Sequence, residues 1–305
     1  MQKKPLLICI VGPTAIGKTA LSIKVAEHFS CDIISADSRQ FYKEMTIGTA
    51  VPNKEELETV KHHFIQDRSI LNPYSVGDFE KDAIKKLDDL FKKNATAVMV
   101  GGSGLYIEAV VKGLDEFPVV PQYIREVLNR DFQEKGIEYL QNELQEKDAE
   151  YFNKVDLNNH HRIIRALEIC RSQNKAYSSF LNSKPKLRAF KTIYIGLEAP
   201  REVVYDRINR RVDQMITDGL IEEAKNLFIH KNKNALQTVG YKEVFDFMEG
   251  IATKEEAILN IKKNTRRFAK RQGTWFRKNK NINWFNYKTS TLEIFNYIER
   301  IHPIS

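Results

Sequence analysis

The sequence predicts an α/β fold: a mostly parallel, doubly wound sheet flanked by helices and interrupted by an all-helical insertion. Three observations predict it. A continuous apolar run, LLICIV from Leu6 to Val11, ends abruptly in Gly-Pro, as a parallel strand buried on both faces does. Further apolar runs alternate with stretches of helical periodicity, the pattern of βαβ units. Between Pro118 and Pro185 the strand signals vanish and helical spacing takes over.

After the first strand, Leu21, Val25 and Phe29 fall on one face of a helix running from Lys18 to Phe29. Cys31 to Ala36 (CDIISA) reads as a second strand. A helix from about Val76 to Lys93 leads into a third, ATAVMV from Ala95 to Val100. In the insertion, Ile124, Val127, Leu128 and Phe132 repeat at helical intervals, as do Leu140 with Leu144, and Ile163, Ile164 and Leu167. Thr192 to Leu197 (TIYIGL) returns to strand, followed by a helix from about Arg201 to Asp218. Because strand-like sequence resumes, 118–185 is expected as an insertion into a core formed by 1–117 and 186–305. The last long helix, Glu255 to Arg277, places Ile258, Ile261, Thr265, Phe268, Gln272 and Phe276 on one stripe, expected to pack on the core. Lys262, Lys263, Arg266, Arg267, Lys270 and Arg271 cover the opposite side and are expected to face outward.

The 305 residues, 42% hydrophobic and 29% charged, suit a globular chain with a sizeable core. No apolar stretch is long enough for a membrane span or a signal-peptide core. Cys9, Cys31 and Cys170 show no paired spacing, which argues against a zinc knuckle or disulfide framework and for a reducing, cytoplasmic setting. The net charge is +8, and nine basic residues with no acidic one lie between Lys262 and Lys280, leaving 39 basic against 40 acidic elsewhere. Such a concentrated stripe suits a polyanionic partner, since each neutralised phosphate releases counterions; the plainer alternative is a solvated helix face.

Gly12, Pro13, Thr14, Ala15, Ile16, Gly17, Lys18 and Thr19 match the G-x-x-x-x-G-K-[ST] loop, placed between a strand and a helix as a phosphate-binding P-loop requires. Glycines let successive N–H groups turn inward around phosphate oxygens; Lys18 adds a point charge and Thr19 a hydroxyl ligand for Mg²⁺. A P-loop NTPase-like core is the expected fold. A triphosphatase would end a later strand in an acidic residue that helps hold magnesium. Here AVMV runs instead into Gly101-Gly102-Ser103-Gly104, a glycine turn explained equally by backbone approach to a ligand or by a tight strand-to-helix connection. Asp37, directly after the second strand, puts a carboxylate near the loop mouth, although local sequence alone favours a capping role.

Taken together, GPTAIGKT at Gly12, SADSRQFYKEMTIGTAVP from Ser35, GGSGLY at Gly101, HRIIRALE from His161, QTVGYKE from Gln237 and RRFAKRQGTWFRKN from Arg266 resemble the bacterial tRNA dimethylallyltransferases, in that family's order and over nearly the whole chain. The resemblance implies transfer of the dimethylallyl group from dimethylallyl diphosphate to N6 of the adenosine adjacent to the anticodon, with diphosphate released, Mg²⁺ as cofactor, and an insertion that grips the anticodon stem-loop. It implies a diphosphate cradle from Gly12 to Thr19, Asp37 as general base, reversing the local preference for a cap, and Arg211 facing the diphosphate, though that residue also reads as a surface arginine of an amphipathic helix. Asp37, Ser38, Arg39 and Gln40 match the segment that holds the extruded base, Gln40 able to read an adenine edge. Ser103, Arg125, the helix His161, Arg162, Ile163, Ile164 and Arg165, and the segment Val239, Gly240, Tyr241, Lys242 and Glu243 match tRNA-contacting positions. Arg266, Arg267 and Arg271 would add phosphate contacts.

The chain departs from the family pattern at Ser103, usually threonine, at Arg39 and Phe41, and in VDLNNH before His161. A monomer is expected. Two other enzyme readings stay open at this point: a P-loop small-molecule kinase, which gives the basic stripe no task, and a prenyltransferase acting on free adenine nucleotides, which needs neither stripe nor insertion. A non-enzymatic RNA-binding ATPase switch lacks the acidic strand end.

Overall fold

The computed structural model describes residues 4–181 and 185–303; positions 182–184 of the expected insertion lie outside them. By its internal contacts the chain divides into two compact units, 1–112 with 187–305, and 113–186.

The first unit is built on six parallel strands: β1 (Leu6–Val11), β2 (Ile33–Ser35), β3 (His62–His63), β4 (Thr96–Val100), β5 (Lys191–Glu198) and β6 (Ile282–Asn286). They lie side by side in the order β3-β2-β4-β1-β5-β6. Central β1 is fully buried and pairs with β4, Leu6 opposite Thr96, and with β5, Leu6 opposite Lys191. That burial is why its six residues are all apolar. Helix α1 (Lys18–His28) follows β1, α2 (Lys54–Thr59) precedes β3, and α3 (Val76–Phe91) precedes β4. Asn53 with Glu56, and Ser75 with Asp78, form reciprocal capping boxes that fix the starts of α2 and α3. Helix α4 (Gly104–Lys112) leaves the glycine turn after β4.

The second unit holds α5 (Gln122–Lys147), broken at Gly136, where φ is 80°, then α6 (Ala149–Phe152) and α7 (His160–Gln173). Its own apolar core includes Ile124, Leu128, Leu140, Leu144, Ile163 and Leu167. Glu168, almost fully buried, receives Arg125 Nε at 2.6 Å and also pairs with Arg165, while Arg171 bridges Asp131 and Glu143.

Back in the first unit come α8 (Arg201–Thr217), α9 (Leu220–Leu227), α10 (Tyr241–Met248), α11 (Lys254–Arg277) and α12 (Thr291–Ile301). The four expected strands are present, each shifted by no more than two residues at an end. β3 and β6 were not expected: β3 is two histidines long, and β6 is a half-buried edge strand, INWFN, without a continuous apolar run. No helix among the described residues is long and apolar enough to cross a membrane. All three cysteines are buried with free thiols.

Candidate active site

The carboxyl ends of β1, β2 and β4 converge, and a cavity of about 830 Å³ opens beside them, walled by Thr14, Asp37, Ser38, the 102–106 turn, Arg211 and one side of α11. The loop after β1 earns its shape from its sequence. Gly17 takes φ 108° at the start of α1, and Ala15 is held at φ 63°, a conformation that L residues with a Cβ adopt only under surrounding constraint.

Lys18 does not line the cavity. Its Nζ donates to the carbonyl of Pro13 at 2.8 Å, so the cation is folded back on its own loop. Burial pulls its ammonium down to about 7, opposed by the Asp37 carboxylate and reinforced by the Arg211 charge. The three groups therefore lie within electrostatic reach of one another. Arg211, on α8, has Nη1 3.3 Å from Thr14 Oγ1. Desolvation of its guanidinium lowers its pKa from the ordinary arginine value, with the Asp37 and Glu56 carboxylates opposing, and an arginine remains cationic at any working pH.

Asp37 is half-buried at the cavity wall. Its Oδ1 accepts the Arg39 N–H at 3.1 Å, a local turn that holds the carboxylate, and among the described residues its Oδ2 accepts no hydrogen bond. Ser38 N–H donates to Ser103 Oγ at 3.1 Å, tying the segment after β2 to the turn after β4.

At that turn the backbone packs closely on its neighbours. A Cβ on Gly101 would lie 2.4 Å from the Ala36 carbonyl oxygen, one on Gly102 2.2 Å from Gln272 Nε2, and one on Gly104 2.2 Å from Trp275 Nε1. The glycines admit the chain just after β2 and the side chains of α11, and Gly102 and Gly104 also line the cavity.

The other residues expected at the site divide by where their side chains are engaged. Gln40 does not present its amide to the cavity: Nε2 donates to the Thr49 and Ala50 carbonyls at 3.2 and 2.9 Å, and Oε1 accepts from Ser35 Oγ at 3.3 Å, so it supports the 49–50 loop. Arg39 lines the cavity, but its Nη1 is committed to the carbonyls of Asn234 and Ala235. Val239, Gly240, Lys242 and Glu243 reach the wall, whereas Tyr241 is fully buried and donates its hydroxyl to Glu223 at 2.7 Å. Glu243 is itself buried, accepting from Gly240 N–H and Asn264 Nδ2. In the helical unit, His161 and Arg162 are exposed, Ile163 and Ile164 belong to the core, and Arg125 and Arg165 are both engaged by Glu168.

The basic side of α11 is not a uniformly solvated face. Lys262 pairs with Asp213 at 2.5 Å, and Arg266 donates to Asn209 at 2.8 Å with its guanidinium over Tyr205. Lys263, Arg267 and Arg271 turn to the cavity wall, joined by Phe268, which was expected in the core but is 40% exposed.

Three residues emerge only from the structure. Arg207, one helical turn before Arg211, donates to the Ile16 carbonyl at 3.0 Å and braces the loop from outside. Gln272, read from sequence as a core position, accepts the Thr14 N–H at 2.9 Å. Glu223 accepts the N–H groups of Thr46, Ile47 and Gly48 at 2.8–2.9 Å and so clamps the loop that carries Gly48, Thr49 and Ala50 on the cavity wall. Nothing in the local sequence marks any of the three.

A parallel sheet with a P-loop sequence after its central strand, opening on a basic cavity with a carboxylate and an arginine at its mouth, places the chain among the P-loop-fold proteins and makes this cavity its candidate active site. Residues 40–279 match the model of the IPP transferase family. The chain is 61% identical over 293 residues to the tRNA dimethylallyltransferase of Christiangramia forsetii, covering 96% of this chain and 97% of that one. The crystal structure of the full-length tRNA isopentenylpyrophosphate transferase of Bacillus halodurans superposes with a TM-score of 0.73 at 37% identity, covering 97% of this chain and 96% of that one. A eukaryotic dimethylallyltransferase acting on tRNA shares the fold, with a TM-score of 0.83 at 24% identity, over 99% of this chain and 81% of that one. The chain belongs to the IPP transferase family.

Proposed function

We propose that this protein transfers the dimethylallyl group of dimethylallyl diphosphate to N6 of the adenosine adjacent to the anticodon of tRNA. Its relatives named for that activity support the reaction class. The single observation that carries the site assignment is the meeting, at one cavity, of Thr14 from the phosphate loop, the Asp37 carboxylate and Arg211, under a wall holding Lys263, Arg267 and Arg271.

In the reaction N6 forms a bond to the first carbon of the allylic chain, the carbon–oxygen bond to diphosphate breaks, and the N6 proton passes to Asp37 Oδ2 as general base. The loop amides from Ala15 to Thr19 receive the leaving diphosphate, Arg211 faces it from α8, and Lys18 swings from the Pro13 carbonyl to the phosphate oxygens. The target adenine leaves its stack to reach Asp37, at a cost of about a few kcal/mol that is lowest in a single-stranded loop.

Among the described residues no three His, Cys, Asp or Glu side chains gather as a metal cage. The Thr19 hydroxyl at the start of α1 is a single hard oxygen beside the cradle. That donor set fits Mg²⁺, which is held largely by substrate phosphates and water. Thr19 would hold it, and the ion would neutralise charge on the diphosphate. Free buried thiols and the tRNA substrate support a cytoplasmic setting.

The test is incubation of the purified protein with labelled dimethylallyl diphosphate, Mg²⁺ and either unmodified tRNA or AMP. Label on the tRNA adenosine next to the anticodon is expected. Label on AMP alone would move the assignment to free nucleotides.

A further inference from the structure

Resting on the function proposed above, we infer that Gln272 is a positioning residue that holds the diphosphate cradle in register with the half of the site that carries Asp37. Its amide stands between the two halves. Oε1 accepts the Thr14 N–H at 2.9 Å, and Nε2 donates to the Gly102 carbonyl at 3.0 Å. Each contact continues into the site: Thr14 Oγ1 meets Arg211 Nη1, and Ser103, next to Gly102, holds the N–H of Ser38, the neighbour of Asp37. Among the described residues no other side chain hydrogen-bonds both the phosphate loop and the glycine turn.

Gln272 is only 6% exposed, and its bond to the Gly102 carbonyl is buried, so losing it leaves that carbonyl without a partner. Only an amide serves both contacts. A flipped amide would set donor against donor, a carboxylate has nothing to give the Gly102 carbonyl, and a thioether is only a weak acceptor for the Thr14 N–H and gives the Gly102 carbonyl nothing. Gly102 completes the fit, since a Cβ there would intrude to 2.2 Å of Nε2.

The chemistry needs this register. The allylic carbon must lie between the departing diphosphate and N6, with Asp37 at the N6 proton; small misplacements of reacting groups cost about 10²-fold in rate. If the halves drift, water competes for the allylic carbon: its oxygen bonds to that carbon, the bond to diphosphate breaks, and a proton is released, giving dimethylallyl alcohol and diphosphate. Misplacement therefore shows as leakage as well as slowness.

The experiment compares wild type with Gln272→Glu, Gln272→Met and Gly102→Ala, the last of which displaces the amide while leaving it present. Single-turnover assays with labelled dimethylallyl diphosphate, Mg²⁺ and saturating tRNA yield the transfer rate and the fraction of label recovered as alcohol, alongside the Kd for tRNA. The expected result is a transfer rate lower by about 10-fold or more, an increased alcohol fraction and a tRNA Kd within about threefold of wild type. Folded variants with unchanged rate and alcohol fraction would overturn the inference. So would variants that merely melt earlier, because instability removes active molecules without altering how each one partitions its substrate. A wild type that prenylates no tRNA would instead overturn the reading of function on which the inference stands.

Discussion

Lys18 Nζ lies 2.8 Å from the carbonyl oxygen of Pro13, so the cation of the phosphate loop spends its charge on its own backbone. Its pKa, pulled down to about 7 chiefly by burial, makes diphosphate binding a proton-linked event. Above pH 7 the free protein has lost this proton, and a bound diphosphate favours its return. Affinity for inorganic diphosphate is expected to fall by up to about tenfold per pH unit above 7, beyond the ligand's own ionisation, with no contribution from Lys18 at lower pH. Calorimetry in buffers of different ionisation enthalpy at about pH 8.5 should show uptake approaching one proton. Lys18→Met should abolish it. In the folded chain Lys18 binds fewer protons than in the unfolded chain between about pH 7 and 10.5, so the cost of burying the ammonium is fully present below 7 and relieved as pH rises.

Asp37→Asn keeps the shape and the Arg39 turn but removes the proton acceptor. The chemical step is expected to slow by about 10² to 10⁴ while tRNA affinity stays nearly intact. Rapid-quench kinetics with filter-binding measurements separate the two. Weakened binding with an unchanged chemical step would make Asp37 a structural residue.

The arginines of α11 should divide by where they point. Arg267→Ala with Arg271→Ala is expected to weaken tRNA binding and to flatten its dependence on log salt by about 0.7 for each lost phosphate contact. Arg266→Ala should leave that slope alone and lower the melting temperature instead, because its guanidinium is spent on Asn209 and Tyr205. Equal slopes for both variants would contradict the division.

Glu223→Ala strips three backbone N–H groups and the Tyr241 hydroxyl of their acceptor. Hydrogen exchange at Thr46, Ile47 and Gly48 should accelerate by about tenfold or more, with the amides of β1 unaffected. Retained protection would show that the loop stands without its clamp.

The sheet's interior was legible in sequence because full burial demands unbroken apolar runs, and the phosphate loop because its chemistry fixes residue types at fixed spacing. Asp37 was ambiguous locally because its carboxylate both makes the turn with the Arg39 N–H and lines the cavity, and a turn-forming carboxylate and a candidate base look alike in sequence. The rest was hidden for physical reasons. Gln272 sits on a helical stripe of core residues, and periodicity reports burial without saying what a buried polar group bonds. The division of α11 could not be read from its charges, since Asp213, Asn209 and Tyr205, which draw Lys262 and Arg266 aside, come from α8, some fifty residues earlier. β6 is an edge strand, where half-exposure relaxes the demand for continuous apolar sequence.

The turn at Gly101, Gly102 and Gly104 acts as a shim. Its thinness sets how near the end of β2 comes to α11, and hence the gap between Asp37 and that helix. Natural variation at these three positions should accordingly track the girth of the residues opposite, Ala36, Gln272 and Trp275, rather than the identity of the prenyl donor. A side chain gained on one surface would require one trimmed on the other.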